Sequence, residues 1–172
     1  MKHVDPAALP VQFRRDARTT RELIDRAEQH ARAGEHAAAL QAYKDAYRES
    51  RQLPDRSLEI EIALLMARYQ FERGRLDAAQ DYLAAHCILL ASEVGLQDGM
   101  TVTGNGITFH FVTTASLHEP SAETIKVYRA FSDTWKNPLV LEAMADEDLP
   151  FGAQFLPAKE LLLAIRTAST PE

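Results

Sequence analysis

The chain has 172 residues, is 46% hydrophobic and 26% charged, and carries a formal net charge of -6, so it can bury an ordinary core and does not fall in the disordered class. An acidic balance excludes a general nucleic-acid binder, which needs a basic face to neutralise phosphates. With Cys87 as the single cysteine, an intramolecular disulfide and zinc sites built from several cysteines are excluded as well.

In the opening stretch, "MKHVDPAALPVQF", Pro6 and Pro10 interrupt the apolar residues, and nowhere does the chain hold the roughly 18 consecutive apolar residues of a membrane span. The expectation is a cytoplasmic protein with no export signal and no membrane partner. Arg14, Arg15, Arg18 and Arg21 form a basic cluster, but Asp16, Glu22 and Asp25 are interleaved at helical ion-pair spacings. That pattern makes a mixed, solvated helix face rather than a phosphate site.

Asp16, Thr19 and Thr20 are candidate N-caps for a helix carrying Leu23, Ile24, Ala27 and Ala31 at three- and four-residue spacing. It is expected to stop at Gly34, because glycine inside a helix costs about 1 kcal/mol relative to alanine and suits the left-handed residue that closes one. From Glu35 a second pattern places Ala39, Leu40, Tyr43, Ala46 and Tyr47 on one face and runs to about Arg51, before Pro54. Asp55 or Ser57 can cap a third helix with Leu58, Ile62, Leu65, Met66 and Tyr69. It ends at Gly74, which is again followed by an alanine-rich helix, bearing Leu76, Ala79, Leu83, Cys87 and Leu90. Gly34 and Gly74 lie 40 residues apart, a period at which helical repeats leave self-similarity in a sequence.

These residues resemble the tetratricopeptide repeat family over about residues 20–95. Counted from each glycine, the family's small residue in the first helix falls on Ala27 and Ala67, its small residue in the second on Ala39 and Ala79, and its large one on Tyr43 and Leu83. Leu23 and Ala46 fit in the first unit. His30 and Gln70 stand where an aromatic is usual, and His86 where a small residue is usual. Size, acidity and helical repeats also look like the small chaperones of type III secretion.

Beyond the repeats, "GMTVTGNGITFHFVTT", residues 99–114, is rich in β-branched and aromatic residues around Asn105-Gly106, a strong hairpin signal. A turn there puts Thr101 opposite His110, Val102 opposite Phe109 and Thr103 opposite Thr108. Met100, Val102, Ile107, Phe109 and Phe111 then form an apolar face, which needs cover from the helices, a partner, or a second copy in a homodimer. Ser121 is expected to cap a helix with Ile125, Tyr128, Phe131 and Trp135, and Asn137-Pro138 to start a short one with Leu141 and Met144. "DLPFGAQFLP" reads as an irregular apolar loop, after which Pro157 opens a last helix with Leu161, Leu162 and Ile165. The expected fold is therefore mainly α, with an N-terminal extension and two tetratricopeptide-like antiparallel hairpins over residues 1–95, then a β-hairpin insertion at about 100–112 and C-terminal capping helices over 96–172, packed as one domain.

No phosphate loop, nucleophile elbow or paired-histidine zinc motif is present, so neither a catalytic residue, a metal nor a cofactor is expected. The six histidines, His3, His30, His36, His86, His110 and His118, include no pair spaced to share a metal on one helix. A dyad of His86 and Cys87 fails because adjacent helical residues point about 100° apart. His110, among threonines on the polar strand face, is the histidine best placed to contact a ligand. Residues 96–172 hold 5 Lys and Arg against 10 Asp and Glu, with Glu142, Asp146, Glu147 and Asp148 bunched, the pattern of a solvated acidic loop.

The resemblance implies a groove lined by first helices that holds a peptide or a partner's helix. Its groove-facing positions fall on Arg21, Ile24, Glu28 and Ala31, then on Glu61, Leu64, Arg68 and Phe71. The lysine and asparagines with which some members clamp a terminal carboxylate are not matched. Ile24, Leu64 and Phe71 among mixed charges suit an amphipathic segment. The reading is a non-catalytic adaptor or chaperone-like module that binds another protein or peptide in a bacterial-looking cytoplasm. Two other classes stay open: a sensor with an enclosed pocket lined by Trp135, Phe151 or Phe155, and an enzyme assembled around His110, His118 and residues 142–148.

Overall fold

A computed structural model describes residues 17–96, 101–104, 107–110 and 134–169, with backbone alone for residues 101, 102, 104 and 107–110. Four helices come first: α1 (Ala17–Arg32), α2 (His36–Ser50), α3 (Ser57–Glu72) and α4 (Leu76–Glu93). Two more, α5 (Pro138–Met144) and α6 (Gly152–Ser169), follow after residue 134.

The expected β-hairpin insertion is corrected. Residues 17–96 and 134–169 are 78% helical in six helices and hold no strand, so the class is mainly α. Between these parts the backbone runs as two four-residue strands, β1 (Thr101–Gly104) and β2 (Ile107–His110), paired antiparallel with Thr101 opposite His110 and Gly104 opposite Ile107. A ribbon of this size is no layer of the fold. Alternation of β-branched and aromatic residues reports local pairing tendency and says nothing of whether a β element is built into the helices. Asn105, Gly106, Met100 and Phe111 lie outside the described residues, as does the helix expected from Ser121.

The helix ends follow the glycines. Gly34 and Gly74 both have φ of 76°. Around the first, the Glu35 N–H donates to the His30 carbonyl at 2.9 Å and the Gly34 N–H to that of Ala31 at 3.1 Å; around the second, Arg75 donates to Gln70 and Gly74 to Phe71, each at 2.9 Å. These are two copies of the Schellman closure, in which a left-handed residue lets the chain satisfy two orphan carbonyls and turn away.

By compactness the chain divides into two units, Met1–Ile62 and Ala63–Glu172. In the first, α1 packs on α2, and Ala27, Ala39 and Ala46, all fully buried, sit with Ile24 and Tyr43 in its core. Thr20, expected near a cap, is instead a buried residue inside α1.

In the second unit, α6 packs against both α4 and α5, and Leu83, Cys87, Leu141, Met144, Phe155, Leu162 and Ile165 are buried. Asn137 caps α5 as the sequence predicts, its Oδ1 accepting from the Leu139 N–H at 3.0 Å with Pro138 at the first helical position. The last helix differs from expectation. It starts at Gly152, and Pro157 lies inside it, although proline removes a helical donor. Phe155 accounts for the early start: it is fully buried and its ring stacks on Trp135 at 5.7 Å between centroids. That packing outweighs the local cost of the proline.

Candidate functional site

The residues expected to face a partner fall into separate settings. Arg21 leaves the first turns of α1 and Glu61 the first turns of α3, and the two side chains meet in a two-pronged ion pair, with Nη1 to Oε1 and Nη2 to Oε2 both 3.2 Å. The sequence gives a signal for this pair that charge patterning within one helix does not reveal. Arg21 and Glu61 occupy the same place in the 40-residue repeat, 13 positions before its glycine, and carry opposite charges. Side chains 54% and 44% exposed keep the pair in solvent, where such contacts stabilise by less than about 1 kcal/mol. It links α1 to the start of α3 within the first unit.

Ile24 is 5% exposed and belongs to the core, so it presents no apolar anchor. Glu28 pairs along its own helix with Arg32 at 3.6 Å. Leu64, Arg68 and Phe71, by contrast, follow one another at four- and three-residue spacing on α3, with Leu64 and Phe71 partly exposed and Arg68 exposed. That spacing places them along one helix face. The arrangement offers two apolar side chains flanking a guanidinium.

A shallow cleft of about 340 Å³ opens in the first unit, lined by Ala17, Arg21, Leu53, Pro54, Asp55, Ser57 and Leu58. Asp55 Oδ1 accepts from the Ser57 hydroxyl at 2.6 Å and from the Ser57 N–H at 2.8 Å. Those two bonds, the hydroxyl's first, hold the Asp55 carboxyl below its ordinary 3.8. The carboxylate thereby holds the first residue of α3.

Other candidates resolve into packing. Cys87 is fully buried, and burial pushes its thiol well above the ordinary range, which keeps it protonated and unreactive. Neighbouring His86 is 4% exposed within α4. Trp135 is 1% exposed and lies parallel to Phe155 within 3°, while Phe151 meets Phe155 edge-on at 5.6 Å. Trp135 and Phe155 are buried in the core of the second unit, where the three rings pack on one another. In the acidic stretch, Asp146 Oδ1 accepts from the Asp148 N–H at 2.9 Å, a local turn. His118 and the side chain of His110 lie outside the described residues. Among the described residues no cluster of three or more His, Cys, Asp or Glu could hold a metal, and no helix is long and apolar enough to cross a membrane.

No family model, curated protein or solved structure matches this chain.

Proposed function

We propose that the chain is a protein-interaction module, an adaptor or chaperone-like binder of a peptide or partner helix that acts without catalysis, as a tetratricopeptide-like protein of the cytoplasm. The observation that carries this reading is the duplicated helix–glycine–helix unit. One helix, a left-handed glycine closure and a second helix recur at a 40-residue offset, α1–Gly34–α2 and α3–Gly74–α4, with Ala27 matched by Ala67 and Ala39 by Ala79, all buried. Repeats of this kind present helix faces in series, which is how extended binding surfaces are made. The docking surface is the α3 face of Leu64, Arg68 and Phe71, and its occupant is an amphipathic segment that lays apolar side chains over the leucine and phenylalanine and a carboxylate on Arg68.

Mild-salt purification from native extract followed by native mass spectrometry tests this. A protein partner in fixed stoichiometry is expected with the unmodified chain and is expected to disappear with Leu64→Asp and with Phe71→Asp, while circular dichroism shows both variants folded. A chain that elutes bare, or that keeps its partner through both substitutions, overturns the reading.

A further inference from the structure

We draw no further inference here: the strongest candidate, the exposed leucine side chains of the second unit, Leu139 on α5 and Leu156 and Leu163 on α6, carries nothing because nothing in the structure shows what covers them.

Discussion

At the scale of single residues, the glycines divide by the reason each is glycine. Gly34 and Gly74 have positive φ with open space around the missing side chain. An alanine there meets no atom and suffers from the backbone conformation alone. Gly34→Ala is therefore expected to lower stability by about 1 kcal/mol, read by urea unfolding. Gly152 is different: an added Cβ would run into the carbonyl oxygen of Asp146. Because backbone has to move to admit the methyl group, Gly152→Ala is expected to cost more than Gly34→Ala in the same assay. Equal losses would contradict the distinction.

Asp55 gives a pH-dependent case. Its folded-state carboxyl is held below the ordinary value by Ser57, so the stability it supplies is present above the unfolded value near 3.8 and is lost as pH falls through the lower, folded value. Stability of the unmodified chain and of Asp55→Ala should differ at neutral pH and converge below about pH 4. A gap that stays constant across that window would show that the two hydrogen bonds to Ser57 are not its source. At Cys87, a thiol reagent is expected to react only as fast as the protein unfolds, and rapid labelling under native conditions would place the thiol at the surface.

At the scale of elements, α1, α3 and α5 are legible because the chain carries a local signal at one end of each. Gly34 and Gly74 close α1 and α3 where the periodicity pointed, and Asn137-Pro138 opens α5. Where tertiary packing overrides local chemistry, the reading fails. "DLPFGAQFLP" has two prolines and reads as a loop, yet α6 begins at Gly152 because Phe155 is drawn into contact with Trp135. The same contact makes a prediction: Phe155→Ala should destabilise by about 3–5 kcal/mol and alter the fluorescence of Trp135, the single tryptophan. A change under 1 kcal/mol would mean that the ring is not part of a packed core. Around residues 99–114 the turn and the alternation give the observed register, Thr101 opposite His110 through Thr103 opposite Thr108, but local pairing tendency does not set the fold class, which stays mainly α among the described residues. Of the surface residues, Leu64, Arg68 and Phe71 could be placed on one face by spacing alone. That Ile24 is buried could not, because four-residue spacing defines a face without saying what covers it.

At the scale of the whole molecule, the proposed binding function needs the duplicated unit to act as a scaffold and α3 to carry the contact surface. Exposed pairs such as Arg21 and Glu61 are expected to matter little for affinity; a double-mutant cycle on them should give a coupling under about 1 kcal/mol that fades with salt. Side chains that dock a partner behave otherwise, since their loss removes binding while leaving the fold intact. The most direct test is site-specific photo-cross-linking in native extract from a benzophenone side chain placed at Arg68, with the same group at exposed Lys44 on α2 as reference. One discrete protein adduct from position 68, weak or missing from position 44, is the predicted result. No adduct from position 68, or the same adducts from both positions, would contradict α3 as the docking surface.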